Sequence, residues 1–109
     1  MEIGRFAEAL ERRPRLAARL FTDGERAFAA DRGEPARHLA ARFCAKEAVA
    51  KALGMTAWSR RDVEVIATDA APQLRLSGSV AARAAELGVA VEISLTHSKG
   101  MAGAVAVLK

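Results

Sequence analysis

The chain has 109 residues, 51% of them hydrophobic, which is enough for one buried core and too little for two. Lys and Arg number 17 against 13 Asp and Glu, a formal +4 that favours an anionic partner without separating nucleic acid, an anionic cofactor and an acidic protein. The single cysteine, Cys44, excludes an internal disulfide, and neither a signal peptide nor an apolar run of roughly 18 to 20 residues is present, so a cytoplasmic protein without membrane contact is expected.

From Arg5 to about Arg19 the apolar positions Phe6, Leu10, Leu16 and Leu20 follow a helical period, interrupted at Pro14 because proline lacks the amide donor. Thr22-Asp23-Gly24-Glu25 has the form of a capping box and opens a short helix to about Asp31, closed by Gly33. A long helix is predicted from about Pro35 to Leu53, with a proline suited to a first turn and Gly54 to stop it. The period then changes to alternation. Asp62 to Ile66 and Gln73 to Leu76 read as strands joined by a turn around Ala71-Pro72. Ser79 to Leu87 is a further helix capped by Gly88, and Val89 to Thr96 and Ala104 to Leu108 are strands of a hairpin around a polar, glycine-containing connection. Nothing divides the chain, so a single domain over residues 1–109 is expected, of α+β class, with helices packed on a mostly antiparallel sheet.

Two groups of residues could carry chemistry. On the long helix Arg42 and Lys46 are one turn apart, a like-charge pair costing a few tenths of a kcal/mol that an anion between them would relieve. Glu47 projects near Ala40, Phe43, Ala50 and Gly54, where a charge is costly unless paired or metal-bound, and Lys51 is its nearest partner one turn on. On spacing alone the favoured reading is an ordinary Glu47–Lys51 helical pair, with Arg42 and Lys46 reaching into solvent. The second group is His97, Ser98 and Lys99, directly after an alternating strand and before Gly100, which could hold phosphate oxygens or form an ordinary strand end.

The run Arg42-Phe43-Cys44-Ala45-Lys46-Glu47-Ala48-Val49-Ala50-Lys51-Ala52-Leu53-Gly54 resembles the Arg-Phe-x-x-Lys-Glu-Ala-x-x-Lys-Ala-x-Gly signature of bacterial holo-acyl-carrier-protein synthases. Leu20-Phe21-Thr22 with Glu25, Asp62-Val63-Glu64-Val65, and Ser94-Leu95-Thr96-His97-Ser98-Lys99 are similar to further segments of that family. The resemblance implies the 4'-phosphopantetheinyl transferase fold. It also implies transfer of the phosphopantetheine arm of coenzyme A to a serine of an apo acyl carrier protein, as in fatty acid biosynthesis. On this comparison Glu47 is a magnesium ligand and the leading candidate for general base, and Lys51 meets the coenzyme A diphosphate. Arg42, Lys46, His97, Ser98 and Lys99 resemble phosphate-binding positions. Arg5, Arg12, Arg13 and Arg15 would face the acidic helix of the carrier protein, and a homotrimer with shared sites is implied.

The family's opening pattern, Gly-x-x-x-Asp-x-x-Glu-x-x-Arg-Phe, is matched here only by its tail, Glu2-Ile3-Gly4-Arg5-Phe6. Its metal-binding aspartate and first strand would fall before Met1. This departure favours a second reading, a non-catalytic coenzyme A or carrier-protein binding module that has lost a metal ligand. A third, nucleic-acid binding through Arg12, Arg13 and Arg15, is disfavoured by the 5% aromatic content and the lack of a reading motif.

Overall fold

Helix α4 (Pro35–Ala52) is the element around which the others are assembled. It is rich in alanine, the strongest helix former, and Pro35 supplies the fixed φ of a first turn. The chain reverses into it through Glu34, whose φ of 56° is left-handed, and leaves through Gly54 at φ 71°. The small alanine side chains let neighbours approach closely, and α4 is buried over most of its circumference, from Leu39 to Ala50.

The computed structural model describes residues Met1–Lys109. Before α4 come α1 (Ile3–Arg12), α2 (Leu16–Leu20) and α3 (Asp23–Ala30). Pro14 separates the first two, as its missing amide requires, and Thr22 with Glu25 forms the reciprocal capping box at the start of α3. After α4 come a 3-10 turn (Arg60–Asp62), strands β1 (Val63–Ile66) and β2 (Gln73–Leu76), helix α5 (Gly78–Leu87), and strands β3 (Val91–Ser98) and β4 (Met101–Leu108).

The α+β class is confirmed, with the strands forming two antiparallel hairpins instead of one continuous sheet. Val63 pairs with Leu76 and Ile66 with Gln73 in the first, and Val91 with Leu108 and Ser98 with Met101 in the second. β2 and β3 diverge around a cleft of about 530 Å³ lined by Pro72, Leu74, Val91 and Ile93, so no ladder joins them. The second hairpin runs further than the alternation suggests. His97 and Ser98 belong to β3, and only Lys99-Gly100 turns the chain, with Gly100 at φ 82°. At the other end of the chain, Met1 and Glu2 lie along the outer edge of β4. The Met1 ammonium donates to Ala102 O at 2.8 Å, Ala102 N donates to Met1 O at 2.9 Å, and Glu2 forms a single bridge to Met101.

Two apolar clusters share α4. Ala45, Val49 and Leu53 meet Val63, Val65, Val80, Ala84 and Ile93, while Leu39, Ala40 and Ala41 meet Phe6, Phe21, Ala29 and Ala102. Val49, Val63 and Val80 have no exposed surface, and each such side chain contributes about 1.5–3 kcal/mol by leaving water.

Candidate active site

One charged group on α4 is wholly buried. Lys46 has no exposed surface, and its ammonium spends all three donors within the chain: on Glu25 Oε1 at 2.7 Å, on Arg60 O at 2.7 Å and on Val63 O. Burial pulls the Lys46 pKa down, and Glu25 opposes that shift. Glu25 is equally committed. Oε1 also accepts from Thr22 N at 2.9 Å and Oε2 accepts from Val65 N at 2.8 Å, so one carboxylate caps α3, neutralises Lys46 and fixes β1. The anion that relieves the Arg42–Lys46 repulsion is therefore a residue of the chain itself. The expectation that Lys46 meets a phosphate is corrected by this arrangement, which leaves it no free proton and no access to solvent.

One turn earlier, Arg42 is 4% exposed and lies against Phe28, its guanidinium carbon 4.2 Å from the ring centroid, with Arg32 at 4.1 Å from the same ring. Arg42 donates to His38 O at 3.3 Å, while its Nε is buried without a partner. The His38 ring lies 5.6 Å from Phe28 and 6.4 Å from His97. Desolvation first, then Arg42, Arg37, His97 and Arg32, hold the His38 pKa below its ordinary 6.5. Arg32, Arg42 and His38 thus gather on the Phe28 ring, with His97 on the far side of His38, while Glu25 partly offsets the burial that lowers the Arg42 pKa. Arg42 also lines a cleft of about 210 Å³ with Thr68, Pro72 and Leu95. Such a cationic, partly desolvated surface suits an anion.

Glu47 is placed differently from the expectation. Its side chain is 43% exposed, and its partner is Arg60, whose Nε and Nη2 reach Oε1 at 2.9 and 2.7 Å, while Lys51 is exposed and forms no ion pair. The Glu47–Lys51 pairing is thus corrected: the 3-10 turn delivers a cation that helix spacing alone cannot reveal. Glu47 Oε2 makes no hydrogen bond within the chain. No three His, Cys, Asp or Glu side chains converge as ligands. A hard divalent cation that takes one or two carboxylates and completes its shell with water and phosphate oxygens remains compatible with that single free oxygen.

The remaining candidates are spread over the surface. Ser98 and Lys99 line a cleft of about 390 Å³ with Arg37, Glu34 and Ile3. Arg5, Arg12, Arg13 and Arg15 are all exposed, and Arg13 and Arg15 join Arg19 around Pro14 and Leu16. Arg42 and Glu47, five positions apart, point roughly 140° from each other around α4, so one chain presents its histidine–arginine cluster and its carboxylate on different sides.

A model of the 4'-phosphopantetheinyl transferase superfamily matches residues 1–105. The chain belongs to this superfamily. Within the transferases, a holo-[acyl-carrier-protein] synthase of Streptomyces coelicolor is 50% identical over 110 residues, covering 97% of this chain and 89% of that protein. The fold agrees as well. The acyl carrier protein synthase of Mycobacterium tuberculosis is 37% identical with a TM-score of 0.73, covering all of this chain and 90% of that one. The ACPS–CoA complex of Chronobacterium ammoniagenes is 28% identical with a TM-score of 0.83, covering all of this chain and 91% of that one.

For this transferase chain, sequence reasoning missed Phe28, Arg32, His38 and Arg60. Phe28, His38 and Arg60 act through contacts between elements, Arg32 lies on Phe28 four residues before it, and none of the four sits in a motif. The one sequence signal beside Arg60 is Trp58, two residues before it; the rings of Trp58 and Phe43 lie 4.8 and 5.6 Å from its guanidinium carbon.

Proposed function

We propose that the chain transfers the 4'-phosphopantetheine group of coenzyme A to a serine of an apo acyl carrier protein. The observation that carries this reading is the family match over residues 1–105. The serine oxygen attacks the β-phosphorus, an O–P bond forms, the diphosphate P–O bond breaks, and adenosine 3',5'-bisphosphate leaves with the electron pair. The serine proton passes to a general base, for which Glu47 is the candidate. Magnesium, when bound, would neutralise charge on the phosphoryl oxygens, and Glu47 would hold it through the oxygen that Arg60 leaves free. Lys51, exposed one turn further along α4, would meet the diphosphate. Arg42, His97, Ser98 and Lys99 would meet the other phosphate oxygens, giving fixed positive charge where positioning and electrostatics supply most of the catalysis.

Arg5, Arg12, Arg13 and Arg15 would receive the acidic face of the carrier protein. The working form would be a homotrimer. β4 exposes Met101, Val105 and Val107 at 49, 59 and 50%, a stripe suited to burial against another copy. The angular separation of Arg42 from Glu47 supports sites assembled from two neighbouring chains. No helix is long and apolar enough to cross a membrane, in keeping with a cytoplasmic location.

The test is to incubate the chain with apo carrier protein, coenzyme A and magnesium and to look by mass spectrometry for added phosphopantetheine. Addition supports the transferase. Coenzyme A binding without addition, at any magnesium concentration, would replace it with the binding-module reading, which the occupation of Glu47 by Arg60 favours.

A further inference from the structure

Arg42 is a buried cation whose only hydrogen bond within the chain goes to the backbone, at His38 O. Its Nε has no partner at all. The neighbouring side chains add charge of the same sign. Arg32 shares the Phe28 ring with it, and His38 stands one turn before it on the same face of α4. The His38 ring is met by Phe28 of α3 at 5.6 Å and by His97 of β3 at 6.4 Å. The charged and titratable groups facing it are Arg37 and Arg42 of α4, His97 of β3 and Arg32 just beyond α3; Arg37 is itself paired with Glu34 at 3.4 Å. Partial burial first, and then each of these four groups, opposes protonation of His38, so its imidazole is the neutral member of a cationic cluster at neutral pH.

A bound anion reverses that balance. Its charge offsets the arginines, and a phosphate oxygen gives an imidazolium N–H an acceptor. We infer that His38 is a further anion-binding residue of the Arg42–His97 cluster, and that a phosphate group held there brings a proton onto His38. This rests on the phosphate-binding reading of Arg42 and His97. Proton and anion then help each other bind by the same factor. The anion is held more tightly as pH falls through the window between the midpoint of the free imidazole, below 6.5, and the higher midpoint of the occupied one. Above that window His38 offers only a neutral N–H.

The experiment follows the imidazole Cε1–H signals of the full chain by proton nuclear magnetic resonance between pH 7.5 and 5.5, free and saturated with coenzyme A. The chain has two histidines, so His38→Gln and His97→Gln assign both signals. Coenzyme A is expected to move the His38 midpoint upward, and pantetheine, which carries no phosphate, to leave it in place. His38→Gln is expected to weaken coenzyme A about three- to ten-fold at pH 5.5 and less at pH 7.5, read by calorimetry. A His38 midpoint that coenzyme A leaves unmoved or lowers, or that pantetheine moves equally, overturns the inference on the parent chain itself. Arg42→Gln separates the two levels. If it weakens coenzyme A while the parent's His38 midpoint stays fixed, only the role of His38 is wrong. If coenzyme A does not bind the parent, or binds Arg42→Gln and the parent alike, the phosphate reading of the cluster falls and the role of His38 with it.

Discussion

Lys46 shows how one residue can satisfy a family pattern and still have a role set by its surroundings. Its ammonium and the Glu25 carboxylate are both without exposed side-chain surface, so removing either leaves an unpaired charge in the core. Lys46→Met is expected to lower stability by about 3–5 kcal/mol in urea unfolding. Lys46→Met with Glu25→Gln is expected to recover part of that loss, since neither partner is then a lone ion. A phosphate-binding Lys46 would instead raise the coenzyme A dissociation constant with stability unchanged. His38 makes the second prediction at this scale. Its pKa lies below 6.5 in the folded chain, so the unfolded chain binds more protons in the window just under 6.5 and stability falls as pH drops through it. Above 6.5 the effect is absent. His38→Gln is expected to flatten the fall in urea midpoint between pH 7.5 and 5.5; an unaltered slope would assign the pH dependence elsewhere. The sequence made Glu47, Lys51 and Arg42 visible because a helical run keeps local spacing, and His97 because it ends an alternating strand. It hid Glu25, Arg60 and Phe28 as partners because each arrives from another element, and His38 because its ring is met by Phe28 of α3 and His97 of β3.

Element boundaries were legible where local chemistry dictates them. Pro14, the Thr22–Glu25 box, Pro35, Gly54 and Gly88 all act within one turn of chain, and each stands where its chemistry places it. The ends of the second hairpin were not, because Met101, Ala102 and Gly103 carry too little alternation to extend β4, and the pairing of Ser98 with Met101 is fixed by the tight Lys99-Gly100 turn. The 3-10 turn has no periodic signature either, and its position depends on Lys46. Its last residue sets a further constraint. Asp62 O accepts from Ser77 N at 2.9 Å, and a Cβ at Gly78 would collide with the Asp62 carboxylate while φ is 52°. Gly78→Ala is therefore expected to cost about 1–3 kcal/mol through left-handed strain and the displaced carboxylate, read as a lowered urea midpoint. Gly33→Ala, with open space around its Cβ, is the control and is expected to leave the midpoint nearly unchanged.

For the molecule as a whole, the outer stripe of β4 offers a test of the proposed assembly. If copies bury Val105 and Val107 against one another, the melting temperature rises with protein concentration, because association draws on the folded state alone. Val105→Asp is expected to reduce the mass seen by light scattering to that of one chain while far-ultraviolet circular dichroism is retained. A mass and melting temperature independent of concentration in the parent would argue for a monomer. The division of the core into two clusters bears on motion. α4 contributes to both clusters, whereas α1 has only Phe6 buried and α2 has no buried residue. The free energy of opening is therefore expected to differ along the chain: amides of α1 and α2 should exchange with deuterium through a cheap local unfolding, and those in the middle of α4 only through global unfolding. The arginines proposed to receive the carrier protein ride on that loosely held segment, so carrier docking is expected to slow exchange there first and leave α4 untouched.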